Sequence, residues 1–381
     1  MSKIDKITSF DPNGAGDTSG GIFGLPFTVE EADIVILPVP WDVTVSYGAG
    51  TSNGPQAILD ASPQLDLYDE DLGSIWKNGI AMLPISEELK GHSEALRQKA
   101  LPLIRMQEIG IDPKRDYDAA PVLKMINEGC ASMVDWVETQ ASKLIEGGKK
   151  IGLLGGDHST PLGLLKALGK RHPGFGILQI DAHMDLREAY EGFTYSHASI
   201  MYNALQVPGM GKLVQVGVRD MCEEEIQRAD SLKGRVRHFS GRKLKQQAIQ
   251  GKSWAATCKE IIDELPKQVY ISFDIDGLEP WLCPNTGTPV PGGLGYEETL
   301  YLLDQVRLSG REIIAFDLVE VNPGSGQDEW DGNVGARILY RMCGMLAASQ
   351  KGWYELCIAR LMALFYPSPP KKAGKTSNNK H

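Results

Sequence analysis

No two of the six cysteines (Cys130, Cys222, Cys258, Cys283, Cys343 and Cys357) stand in a CxxC pair. That removes zinc-ribbon and thioredoxin-type readings, and wide spacing in a long chain argues against a disulfide framework. No uncharged apolar run reaches the roughly 18 residues of a membrane helix. The first residues, MSKIDKITSFDPNGAG, lack the apolar stretch of a signal peptide. A reducing cytoplasm is the expected compartment. Positive charge is also short, with 39 Lys+Arg against 49 Asp+Glu and a net charge of -10. An acidic surface disfavours nucleic acid and anionic membrane as partners. The glycine-rich stretch Gly48–Pro55 (GAGTSNGP) has no GK[ST], which excludes a P-loop and leaves a loop bordering a pocket.

What is present is a chain of 381 residues, 42% hydrophobic and 23% charged, enough for a large α/β core. Residues 1–31, rich in Gly, Asp and Pro, read as an irregular N-terminal arm. Residues 367–381 read as a flexible basic tail. Between them strand-like and helix-like segments alternate, and no linker breaks residues 32–366, which are expected to form one domain. Asp33–Val39, Lys150–Leu154, Phe175–Ile180, Leu213–Val218, Gln268–Phe273 and Ile313–Val319 are short apolar runs rich in β-branched residues. Runs of that kind without strict alternation suit strands covered on both faces. Pro121–Gly148 carries apolar residues at helical spacing and stops at two glycines. Pro161 suits the first turn of a following helix. The pattern predicts a three-layer α/β/α domain on a mostly parallel sheet.

The polar clusters follow these strands directly, where open α/β sheets bind their ligands. Gly155–Ser159 (GGDHS) follows one strand and offers His158; a lone histidine in a turn is more often a hydrogen-bonded structural residue than a ligand. Asp181–Asp185 (DAHMD) follows another and offers Asp181, His183 and Asp185 at alternate positions, which project to one side in extended chain. Unpaired buried carboxylates are costly, and a cation supplies the partner. Asp274 and Asp276 close a third strand; by themselves they fit a helix cap or an ion pair as well. Together the clusters offer six ligands, too many for one open catalytic metal. They suit two ions sharing a bridging carboxylate and water, about 3.5–4 Å apart. Oxygen and imidazole donors suit Mn²⁺, Fe²⁺, Co²⁺ or Ni²⁺. His197 follows closely enough to reach the same place, or is a surface loop histidine. Glu320 ends the strand IIAFDLVE and could meet a cationic substrate, or an Arg or Lys of the chain itself.

GGDHS, DAHMD, SFDIDGLEP and DLVEVNP, in that order, resemble the motifs of the ureohydrolases, the family of arginases and agmatinases. The resemblance covers roughly residues 32–365. It implies an eight-stranded parallel sheet, a trimer or hexamer, and a binuclear hydrolase that splits a guanidinium C–N bond to release urea. It implies that His158, Asp181, Asp185 and Asp274 hold one or both metals and that His183 and Asp276 complete the pair. His197 becomes a proton shuttle, Glu320 a contact for the guanidinium, and Asp185 the residue that orients the attacking water. Where arginases carry an Asn- and Ser-rich stretch after the second motif, this chain has Leu186-Arg187-Glu188-Ala189-Tyr190, and Leu59 stands where the family usually has Arg. Arm included, the chain looks closest to the cyanobacterial guanidine hydrolases. That likeness implies Ni²⁺ with Mn²⁺ as the alternative, free guanidine as substrate with agmatine or another small guanidino compound behind it, and accessory proteins that load the metal. A one-zinc deacetylase-like enzyme and a non-catalytic metal-dependent scaffold are the other readings.

Overall fold

A computed structural model describes residues 2–325 and 329–350. The basic tail at 367–381 and Cys357 lie outside them. Eight strands run in chain order: β1 (Ile34–Val39), β2 (Ile80–Met82), β3 (Lys150–Gly155), β4 (Phe175–Ile180), β5 (Met210–Val216), β6 (Val236–Phe239), β7 (Gln268–Asp274) and β8 (Glu312–Val319). They form one sheet in the order β2-β1-β3-β8-β7-β4-β5-β6, and every pairing is parallel. Both faces are covered, as buried parallel strands require. Along β4, Phe175 and Ile177 enter one apolar cluster and Leu178 and Ile180 the other. Each buried aliphatic side chain of this kind contributes about 1.5–3 kcal/mol.

All six expected strands are present. The two that the sequence did not announce, β2 and β6, are the two edges, of three and four residues. Segments that short show no period to read. The expected helix at 121–148 spans Ala119–Glu146. Pro161 stands at the N-cap of the helix Leu162–Gly169, one position before the turn expected to hold it. A 22-residue helix, Glu87–Glu108, packs beside the long one although Pro102 interrupts its pattern. The arm is not irregular throughout. Lys3–Ser9 is helical under a Ser2 capping box, and the chain at Ile22, Phe23 and Leu25 is buried. Lys6 Nζ meets Glu31 Oε2 at 2.6 Å and the Phe10 and Trp76 rings stand 5.1 Å apart, so side-chain contacts order a segment whose composition favours coil.

The order of strands decides where the chemistry lies. The segments that follow β3, β8, β7 and β4 carry the four polar motifs, and these are the four adjacent strands at the middle of the sheet. Neighbouring strands are about 4.8 Å apart. Motifs more than a hundred residues apart in sequence therefore end side by side on one rim.

Candidate metal centre

Each loop reaches the rim by a specific backbone device. After β3, the Gly156 N–H donates to Val39 O and the Asp157 N–H to Trp41 O, which clamps the turn against the loop after β1. A Cβ on Gly156 would stand 2.0 Å from Trp41 O. Close approach of two backbones, with no left-handed φ, is what requires glycine here. Asp157 in the same motif is buried and belongs to neither group of candidate ligands, its Oδ1 accepting from Ser159 N at 2.9 Å. After β4 and β8 the chain turns through left-handed residues, Asp185 at φ 55° and Glu320 at φ 62°. Each costs about 1–2 kcal/mol for an L-residue, and both are site residues.

The six residues converge. His158 Nδ1 lies 3.0 Å from Asp181 Oδ2, 3.0 Å from Asp185 Oδ2 and 3.2 Å from Asp274 Oδ2. His183 Nδ1 lies 3.1 Å from Asp276 Oδ2 and 3.5 Å from Asp181 Oδ1. Two groups of ligand atoms result, each within 4.8 Å: His158, Asp181 and Asp185, and Asp181, His183 and Asp276. Asp181 belongs to both. The alternate spacing of DAHMD thus resolves into two neighbouring groups, His183 serving one and Asp185 the other.

Charge in this cluster is unbalanced. Asp181, Asp185, Asp274 and Asp276 are all buried, and only two imidazoles stand among them. Burial opposes a charge on His158, but Asp181, Asp185 and Asp274 outweigh it and hold the ring well above its ordinary pKa. Burial likewise opposes a charge on His183, and Asp276 and Asp181 drive it up to about 12. Burial and the Asp181 charge push Asp185 up to about 7, and burial and Asp276 push Asp274 well up. For Asp181 burial is outweighed by the two histidines, and its pKa is lowered. His158, His183, Asp185 and Asp274 are all shifted toward their protonated forms, the direction that relieves an excess of buried carboxylates. His158 Nδ1, faced by three carboxylate oxygens, has no hydrogen-bond partner of good geometry. An orphaned ring nitrogen among excess carboxylates is a donor set that fits divalent cations of the oxygen- and imidazole-preferring kind.

Supporting residues hold the ligands, and these the sequence reading missed. His158 Nε2 lies 3.0 Å from Ser272 Oγ, and Ser272 Oγ donates to Asp317 Oδ2 at 2.9 Å. The chain fixes the ring with Nδ1 turned into the cluster, the usual way a ligating histidine is oriented. Gln179 Nε2 donates to Asp181 Oδ2 at 2.6 Å, and Gln215 Nε2 donates to Gln179 Oε1 at 2.6 Å. The signal for all four was a polar residue inside an otherwise apolar strand: Gln179 in β4, Gln215 in β5, Ser272 in β7 and Asp317 in β8. Arg219 donates to the carbonyls of Asp276, Leu278 and Val290 and fastens the loop after β7.

His197 and Glu320 stand on different sides of the cluster. A cavity of about 160 Å³ is lined by His183, Asp185 and His197, together with Ser46, Arg187 and Thr288 among others. The Tyr190 ring meets the His197 ring edge-on at 6.1 Å. Glu320 is 5% exposed and does not line that cavity. Its Oε1 accepts from the His158 backbone N–H at 2.9 Å, and a Cβ on Gly287 would come 3.5 Å from its Oε2. No Arg or Lys pairs with it among the described residues, so the ion-pair alternative falls away. The loop at Gly48 closes over this side, its N–H donating to Gly287 O at 3.2 Å.

Comparison with known proteins gives the same picture. The chain is 33% identical over 328 residues to an N(1)-aminopropylagmatine ureohydrolase of Thermus thermophilus, covering 85% of this chain and 93% of that one. It is 28% identical over 320 residues to an agmatinase of Bacillus subtilis, covering 82% and 91%. In fold it is similar to the agmatine ureohydrolase of Thermoplasma volcanium, with a TM-score of 0.65 at 24% identity over 91% of this chain and 99% of the other. The sequence pattern of the arginase family matches residues 32–344. An eight-stranded parallel sheet with the motifs of that pattern gathered on its central rim leaves one assignment: the chain belongs to the arginase family, the ureohydrolases.

Proposed function

We propose that this protein is a binuclear-metal hydrolase of free guanidine, giving urea and ammonia. The observation that supports the reading most is the meeting of two ligand groups through buried Asp181, with His183 of one group and Asp185 of the other lining a small cavity. The arginase family is binuclear-metal dependent. His158, Asp181, Asp185 and Asp274 would hold one or both ions, with His183 and Asp276 completing the pair. When bound, such ions lower the pKa of water toward about 7 and supply the nucleophile at neutral pH.

The chain's own residues supply the rest. Guanidinium is planar, delocalised and cationic, so its carbon resists attack. Asp185, on the cavity wall, would orient the attacking water, which makes the encounter near-unimolecular, and Glu320, buried outside that cavity's lining, would accept the N–H donors of a guanidinium that lies across the cluster. His197, on the cavity wall, gives a proton to the departing nitrogen. Burial, the largest cause, keeps the His197 imidazole below its ordinary pKa. A neutral imidazole accepts a proton from the attacking water and passes it on. Replacing His197 with Gln should lower kcat about 10²–10³-fold with metal content unchanged.

The short cavity and the Leu186–Tyr190 stretch favour a substrate without a long tail. The second reading, agmatine to putrescine and urea, is favoured by the names of the relatives at 28–33% identity. Kinetics of urea release from guanidine, agmatine and N(1)-aminopropylagmatine, with Ni²⁺- and Mn²⁺-loaded protein, decide between them. Higher kcat/KM for agmatine displaces the first choice, and equal activity with Mn²⁺ displaces nickel. We further propose one catalytic domain over residues 32–366, a trimer or hexamer in solution, a cytoplasmic site of action and metal-loading accessory proteins. Light scattering and expression with and without such factors test the assembly and the loading.

A further inference from the structure

Resting on the guanidinium reading, a further question is what holds the one wall of the site that carries no candidate ligand. That wall is the loop after β1. Trp41, Val43, Thr44 and Val45 are buried along it, and a buried loop carries backbone groups that need partners. The helix Glu87–Glu108 supplies them. Ser93 and Arg97 stand one turn apart on it and share a face. Ser93 Oγ accepts from the Asp42 N–H at 3.2 Å, and Arg97 Nη1 donates to Val43 O at 3.1 Å and to Val45 O. Among the described residues no carboxylate pairs with Arg97, so a half-buried cation is spent on carbonyls. Beyond Val45 the loop turns to the site. Ser46 lines the cavity beside His183, Asp185 and His197. The Gly48 N–H donates to Gly287 O at 3.2 Å, and the Gly50 N–H returns to Asp42 Oδ2 at 3.0 Å. A Cβ on Gly48 would stand 2.9 Å from Gly287 O, so the loop has no slack there. The stretch Ser46–Gly48 is thus tied from behind by Arg97 and ahead by Gly287, with the Tyr47 side chain in solvent between them.

We propose that Arg97, with Ser93 beside it, is a positioning residue for the hydrolysis: it holds the loop after β1 so that Ser46 stands on the cavity wall and Gly48 against Gly287. It touches neither substrate nor reacting atoms and acts through the loop. His197 and Asp185 stand elsewhere, on the chain between β4 and β5. Loosening this wall therefore removes binding shared by ground and transition states, and leaves the chemical step alone.

Hydrogen exchange by mass spectrometry, alongside urea-release kinetics with the best guanidino substrate, tests this on the full-length Ni²⁺-loaded protein and its Arg97→Met, Arg97→Lys and Ser93→Ala variants. In Arg97→Met, exchange across residues 42–52 should rise about 10–100-fold, the worth of hydrogen bonds from a charged group, with the other elements protected as before. KM should rise about tenfold while kcat and metal content hold. Arg97→Lys keeps the charge but ends short of the guanidinium Nη1, so it should recover part of both effects. Ser93→Ala should move both the same way by less. Where Arg97→Met fails to fold, as circular dichroism would show, the other two variants still decide, and unchanged loop exchange in both overturns the proposal. Exchange that rises evenly over the molecule overturns it too, because Arg97 would then serve stability alone. So does a loosened loop with KM unchanged, or a loss confined to kcat. An unaltered protein that releases no urea from any guanidino compound, while Arg97→Met still loosens residues 42–52 locally, sinks the hydrolase reading alone.

Discussion

The two halves of the centre are built from the same residue types and behave differently. Around His158 the imidazole is 1% exposed, three carboxylates surround one nitrogen, and the Ser272–Asp317 relay fixes the ring from behind. Around His183 the imidazole is 24% exposed, lines the cavity and faces Asp276 and Asp181. The inner half is part of the core and depends on satisfied hydrogen bonds. The outer half faces what enters. Depth, rather than ligand type, separates the two halves, and altering the inner one should cost more stability.

Substitution of Asp181 should erase the difference, because it serves both halves. Asp181→Ala should lower urea release by more than about 10³-fold and empty both positions, as read by elemental analysis of the purified protein. Full activity in a metal-free variant would falsify the two-metal reading. His158→Ala and His183→Ala should then split the halves. In the metal-free protein the first removes the imidazole facing three buried carboxylates and should cost about 3–5 kcal/mol. The second should cost about 1 kcal/mol less buried contact while abolishing urea release. Denaturant titration of both variants reads this; equal losses would mean that depth does not matter. Asp317→Asn keeps the shape of the relay but weakens its pull on Ser272. Affinity for metal should drop about 10–100-fold, at one of the two positions first, as seen by competition with a chelator. Smallest is Gln215→Ala, which frees Gln179 Oε1 and the Met184 carbonyl. It should cost about 1–3 kcal/mol for buried groups left unsatisfied, with a drop in melting temperature and metal stoichiometry intact.

How much of this was legible in the sequence varies from residue to residue. The six candidate ligands stand in short motifs directly after apolar strands, and strand ends are where such residues gather, so their place on one rim could be read ahead of the fold. The relay residues could not be assigned. Ser272 and Asp317 are single polar positions in two strands separated by a helix, and only the register that sets Ser272 beside Asp317 makes them partners. Glu320 was legible as a carboxylate at a strand end, but not its position behind His158, which depends on a left-handed turn and on Gly48 meeting Gly287. The helix Glu87–Glu108 was hidden because its pattern contains Pro102 and it is ordered by packing on its neighbour. Gly156 in GGDHS is needed because Trp41 O occupies the space of a side chain, a constraint that only the fold reveals.

The sequence by itself determined the α/β class, the six candidate ligands and the acidic imbalance that asks for cations, since periodicity and residue chemistry are local properties of the chain. Only the tertiary structure decided that Asp181 joins two groups, that one histidine is sealed and the other open, and that Arg97 reaches the carbonyls of the loop after β1. Those depend on strand order and on turns through unfavourable φ, both settled by packing over distances that no local pattern records.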